Sequence, residues 1–138
     1  MLPFVSLIIP TLNEEKYLDQ TISSLLSNDY PDNKLEILII DGLSTDNTLA
    51  IAKEFASKFT NIRLISNPKI YQSAALNIGI KESKGDFIIR ADAHAIYDKN
   101  YIIFGMSGHI DLINDIEKCE KMKKNILKEI KRILIGKK

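Results

Sequence analysis

At 138 residues the chain fits one domain or part of a larger one, and a 45% hydrophobic content is enough to fill a real core. A net charge of +1 gives no global pull towards nucleic acid, and a single cysteine, Cys119, excludes an internal disulfide, in keeping with a reducing compartment. The charge is unevenly spread. From Glu117 onward nine Lys or Arg stand against three Glu, a local +6, so the residues before them sum to −5. Met1-Leu2-Pro3 lacks the basic start of a signal peptide, and no apolar run approaches membrane-spanning length.

Phe4 to Ile9 reads as a first strand closed by Pro10. Between Glu15 and Asn28, the residues Leu18, Ile22, Leu25 and Leu26 fall on one helical face, and Pro31 prevents continuation. Leu35 to Ile40 is a second strand, followed by the turn signal Asp41-Gly42 and several candidate helix caps in Ser44 to Asn47. A second helix then places Leu49, Ala52, Phe55, Ala56 and Phe59 inward. Ile62 to Ser66 is a third strand ended by Asn67-Pro68, and Tyr71 to Ser83 a third helix packing through Ala74, Ala75 and Ile78. Gly85 precedes a fourth strand, Phe87 to Ala91. The β-α-β-α-β-α-β order predicts an α/β fold, with a mostly parallel sheet and helices on both faces.

After Tyr101 the pattern changes. Phe104-Gly105-Met106-Ser107-Gly108 reads as a break. Ile110, Ile113, Ile116, Met122, Ile126, Ile130 and Leu134 then predict a C-terminal amphipathic helix with a lysine-rich face. The division is therefore residues 1–101 and a helical tail, 102–138. Two roles suit the tail: lying on an anionic membrane surface, or packing its isoleucine stripe on the sheet or on a second copy of the chain.

Two apolar strands end in an aspartate, Asp41 and Asp92, and ligands of open α/β sheets bind just outside such strand ends. Asp92 and His94 share one side of an extended chain, so a carboxylate and an imidazole can reach one divalent ion. Pro10-Thr11-Leu12-Asn13-Glu14 leaves the first strand; the plain structural reading has Asn13 capping the next helix and Glu14 in its first turn. An Asx-type turn accounts for Ser44, Asp46 and Thr48, and less well for Asp41. G-x-G-x-x-G, P-loop and G-x-S-x-G patterns are all missing from the sequence, which argues against dinucleotide, P-loop and α/β-hydrolase chemistry.

The ordered set of motifs resembles family 2 glycosyltransferases of the GT-A fold, over roughly residues 4 to 101. Pro10 to Glu14 matches P-x-x-N-E. Asp41, Gly42, Ser44, Asp46 and Thr48 match D-[GD]-x-S-x-D-x-T, and Ala75, Asn77, Gly79 and Ile80 match A-x-N-x-G-[IL]. Gly85-Asp86-Phe87-Ile88 matches the approach to the metal motif. The R-x-D-A-H-A form at Arg90 to Ala95 is similar to members acting in bacterial exopolysaccharide assembly.

The resemblance implies an inverting, metal-dependent transfer of sugar from a nucleoside diphosphate, typically uridine diphosphate, to an acceptor in polysaccharide or cell-surface glycan synthesis. It implies that Pro10, Thr11 and Glu14 line the nucleotide pocket and that Asp41 accepts a hydrogen bond from the base. Asp92 touches ribose and the metal region, and His94 takes the metal-ligand position. An imidazole there favours Mn2+ over Mg2+. Nothing after Tyr101 matches the acceptor half with its catalytic base. The sequence thus reads as the donor-binding half of such an enzyme with an unrelated tail, as a shortened reading frame would give. A non-catalytic nucleotide-sugar-binding module is the alternative. A sugar nucleotidyltransferase is disfavoured because Pro10 to Glu14 is neither glycine-rich nor basic. The expected location is the cytoplasm, or the inner membrane face through the basic tail.

Overall fold

A computed structural model describes residues 2–112 together with Lys128 and Arg132. The elements run β1 (Val5–Thr11), α1 (Leu18–Leu26), β2 (Leu35–Asp41), α2 (Thr48–Lys58), β3 (Ile62–Ser66), α3 (Gln72–Glu82), β4 (Phe87–Arg90) and α4 (Tyr101–Leu112). All strand pairings are parallel and the spatial order is β3-β2-β1-β4. The chain steps outward from β1 through β2 to β3, then crosses back to place β4 on the other side of β1. A crevice at such a reversal is where open α/β sheets take ligands.

Strand periodicity divides the core in two. Val5, Leu7 and Ile9 of β1 point to the same face as Ile37 and Ile39 of β2, packing under Leu18, Ile22 and Leu25 of α1, Ala52 of α2 and Ile102, Ile103 and Met106 of α4. Ile8, Leu38 and Ile40 point the other way and are covered by Ala75 of α3, with Leu76 and Ile78 at the margin. Because both faces are covered, the central strands are mostly apolar and all seven residues of β2 are buried; of the polar exceptions, Ser6 and Glu36 satisfy each other through a 2.6 Å hydrogen bond from Ser6 Oγ to Glu36 Oε1. Gly79 brings α3 flush to β1: a Cβ there would lie 2.6 Å from Ile8 Cγ2 and 2.7 Å from its Cδ1.

Several sequence expectations change. Pro10 does not close β1; the strand continues through Thr11, with Pro10 opposite Ile40 and Thr11 opposite Asp41. Proline is tolerated in this central strand because the β1–β4 ladder has ended at Ile8 and Arg90, so no β4 residue needs an N–H from position 10. β4 stops at Arg90, one residue earlier than its apolar run, so Asp92 lies past the strand and Ala93 and His94 form a turn; the expected placement of Asp92 and His94 on one side of an extended chain does not hold. Phe59 lies past the end of α2 and is exposed, stacking its ring on Phe55 at 6.2 Å. The run 104–108 is no break but the middle of α4. Gly105 sits there because α4 lies close on β4, where a Cβ would meet Ile89 Cδ1 at 2.9 Å. The rest of the expected tail stripe, from Ile113 to Leu134, lies outside the described residues. Among the described residues no helix is long and apolar enough to cross a membrane.

Candidate functional site

A cleft of about 350 Å³ opens at the reversal of strand order. One wall is the exit of β1, from Pro10 to Leu12 with Glu14; the opposite wall is Asp92 to His94 beyond β4. Lys69 to Gln72, entering α3, close the third side. The structure thus brings Pro10, Thr11, Glu14, Asp92 and His94 together. Asp41 is set apart, in a second cleft of about 430 Å³ at the ends of β2 and β3, beside Leu64 to Ser66.

The β1 exit loop is held by the loop after β2. Asn13, in the left-handed region at φ 51°, donates its N–H to Ser44 Oγ at 3.0 Å and accepts from Thr45 N at 2.8 Å through Oδ1. Glu14 N–H donates to the fully buried Thr48 Oγ1 at 2.8 Å. Asp46 accepts from Glu15 N and Thr48 N. Burial opposes ionisation of Asp46, but the hydrogen bonds from Thr48 and from the Glu15 backbone outweigh it and hold the carboxyl below its ordinary range. So the two motifs interlock, and Asn13 does not cap a helix: α1 begins at Leu18, preceded by Tyr17 with no side-chain cap. Asp41 also belongs to the turn. Its Oδ1 accepts from Ser44 Oγ at 2.5 Å and its Oδ2 from Ser44 N at 3.1 Å, which gives this buried carboxylate local partners. Thr11 lines the cleft, but its hydroxyl donates to Ile9 O at 3.0 Å.

The opposite wall is braced from behind. Tyr97 and Tyr101 pack ring to ring at 4.3 Å. Tyr101 Oη donates to Arg90 O at 2.6 Å, and Asp92 N donates to Tyr97 Oη. Burial pushes both phenols above their ordinary pKa. Thr21 Oγ1 donates to Ala93 O at 3.0 Å, fixing the backbone just before His94. Arg90 pairs with Asp92 Oδ1 at 3.0 Å, and both side chains are about half exposed. His94 Nδ1 lies 3.1 Å from Glu14 Oε1, across the cleft mouth and 80 residues away in sequence.

Sequence reasoning missed the third wall. Asn67 is fully buried, donates Nδ2 to Tyr71 O and N to Asp41 O, and so shapes a tight loop. Ile70 is held there at φ 70°, costly for a β-branched residue, with its side chain half exposed at the cleft. The Asn67-Pro68 turn signal was the only sequence trace of this loop.

The residues present fit a divalent cation that arrives with phosphates. Asp92 Oδ2 and His94 Nε2 have no protein partner among the described residues, and both flank the cleft. Two protein donors suit an ion completed by substrate oxygens and water, not a dedicated protein cage. Among the described residues no cluster of three or more His, Cys, Asp or Glu that could hold a metal ion is present.

The profile of glycosyl transferase family 2 matches residues 6–103. The chain belongs to this family. A relative from Methanococcus voltae, dolichyl N-acetyl-alpha-D-glucosaminyl phosphate 3-beta-D-2,3-diacetamido-2,3-dideoxy-beta-D-glucuronosyltransferase, is 42% identical over 123 residues, 88% of this chain and 35% of the relative. The S. aureus TarS 1–349 structure in complex with UDP-GlcNAc superposes with a TM-score of 0.66 at 27% identity, over 78% of this chain and 31% of that one. The mannosyltransferase PcManGT from Pyrobaculum calidifontis, solved with GDP-Man and Mn2+, shares the fold at a TM-score of 0.69 and 24% identity, with 78% of this chain covered. The chain spans about a quarter to a third of the length of the curated relatives it matches. The sheet and its flanking helices are accordingly those of a GT-A fold, and the motif-based assignment of the sequence to this family holds.

Proposed function

We propose that this chain provides the donor-binding portion of a family 2 glycosyltransferase, which transfers a sugar from a nucleoside diphosphate to an acceptor hydroxyl in cell-surface glycan or polysaccharide synthesis. The observation that carries the reading is the cleft at the strand-order reversal, where Glu14, Asp92 and His94 converge. TarS, solved with UDP and with UDP-GlcNAc, supports a nucleotide-sugar donor. We assign the donor as a uridine diphosphate sugar.

In this reading the diphosphate lies in the first cleft and the base reaches towards the second. Asp41, whose oxygens retain lone pairs beyond those used by Ser44, accepts from the base. Pro10 and Thr11 form the floor between them. Asp92 and His94 hold a divalent cation, Mn2+ in preference to Mg2+ because imidazole is a borderline ligand. Such an ion, when bound, offsets the charge that develops on the departing diphosphate. Lys69 adds a cation at the cleft wall. No general base is assigned; of the acidic residues after Tyr101, Asp115, Glu117, Glu120 and Glu129 lie outside the described residues.

Thermal shift with a nucleotide panel tests the donor class. Uridine diphosphate with Mn2+ should raise the melting temperature, since ligand at 100 times its Kd stabilises by about 2.7 kcal/mol. Guanosine and adenosine diphosphates should do so less. Equal shifts for all three would remove the uridine assignment, and no shift for any would remove the donor site.

A further inference from the structure

We infer that Glu14 is a positioning residue that fixes the His94 imidazole as its Nδ1–H tautomer, so that Nε2 is the nitrogen available to a divalent cation; this rests on the metal role proposed above for Asp92 and His94. Hydrogen-bond logic carries the first step. An ionised carboxylate only accepts, so the 3.1 Å contact between Glu14 Oε1 and His94 Nδ1 requires the proton on Nδ1. In a neutral imidazole Nε2 is then bare, with a lone pair free for a metal. A histidine ligand held through its other nitrogen by a carboxylate is a recurrent way of setting ring orientation and basicity.

Both partners are anchored independently of this contact. Glu14 is fixed by its N–H on Thr48 Oγ1, while its C=O accepts from Tyr17 N and Leu18 N, the entry to α1. His94 follows Ala93, whose carbonyl is held by Thr21 from the same helix. The backbone segments that carry the carboxylate and the ring are therefore both docked on α1, which brings the two side chains within reach of each other. The contact is a weak source of stability: the His94 side chain is 60% exposed, and exposed ion pairs contribute little. Its consequence is orientation. It also gives Glu14 of the P-x-x-N-E stretch a task distinct from contacting the nucleotide.

The test reads the ring directly. Long-range 1H–15N spectra of metal-free protein, at a pH where imidazole is neutral, should show His94 as a single Nδ1–H tautomer; its resonances are assigned by their loss in His94→Asn. Glu14→Ala should release the ring to the ordinary tautomer mixture and weaken Mn2+ binding, measured by the free-ion electron paramagnetic resonance signal with uridine diphosphate present, by about 10- to 100-fold. Glu14→Gln keeps an acceptor oxygen and should retain the tautomer and most of the affinity. A wild-type ring that is Nε2–H or mixed overturns the inference. So does a Glu14→Ala protein, folded by circular dichroism, with unchanged tautomer and unchanged Mn2+ affinity. If wild type binds Mn2+ in an Asp92-dependent way while the Glu14 variants change nothing, only the inference fails; if wild type binds no Mn2+, the metal role of the site fails with it.

Discussion

Gly79→Ala is the sharpest perturbation of the scaffold under the cleft. Alanine in a helix interior is favoured over glycine by about 1 kcal/mol. Here the new methyl would sit 2.6, 2.7 and 2.9 Å from three carbons of Ile8, a side chain that is 1% exposed and cannot swing away. Forcing an extra methyl into a packed core costs about 1–3 kcal/mol, leaving a net loss of about 0–2 kcal/mol. In an Ile8→Ala background all three clashing carbons are gone. The same substitution should then stabilise by about 1 kcal/mol, the propensity gain alone. Ile8→Ala itself costs about 2–5 kcal/mol, so the cycle is run by urea denaturation with sulfate added to keep that background folded. The predicted coupling between the two positions is thus about 1–3 kcal/mol, with a change of sign. Equal effects of Gly79→Ala in both backgrounds would refute the close packing of α3 on β1, and with it the placement of Gln72 and Ala75 at the cleft.

Thr48→Val keeps shape but leaves the Glu14 N–H without its acceptor, a loss of about 1–3 kcal/mol. Hydrogen exchange should show the Glu14 amide losing protection in Thr48→Val and keeping it in Thr48→Ser. Burial raises the Tyr97 and Tyr101 phenols above their ordinary value near 10, so folding favours the protonated forms. Their contribution is complete below about pH 10 and is lost as pH rises through the raised folded-state values. Melting curves from pH 8 to 11 should therefore fall more steeply for wild type than for Tyr97→Phe/Tyr101→Phe.

The sheet is readable because its strands are short and rich in isoleucine and leucine: Leu35 to Ile40 and Ile62 to Ser66 are placed almost to the residue, although Glu36 and Arg63 interrupt the apolar runs and pair with each other. What failed depends on partners distant in sequence. Asn13 has the composition of a helix cap, but its amide oxygen is taken by Thr45 N, 32 residues on. Gly105 and Gly108 read as breakers, yet Gly105 serves the close approach of α4 to Ile89. The site was legible as a set of strand ends, since proline, carboxylates and histidine at such ends stand out against the apolar runs. The pairing of Glu14 with His94, the tyrosine brace behind Asp92 and the strained Ile70 loop were not, because each is made by tertiary packing and leaves no local pattern.

The most direct test of the donor site is calorimetric titration of uridine diphosphate, with and without Mn2+, into wild type and Asp92→Ala. Binding that requires Mn2+ and is lost in Asp92→Ala is the predicted result. Binding that ignores the metal and survives the substitution, or no binding by wild type with Mn2+ present, would contradict the assignment of this cleft as a nucleotide-sugar site.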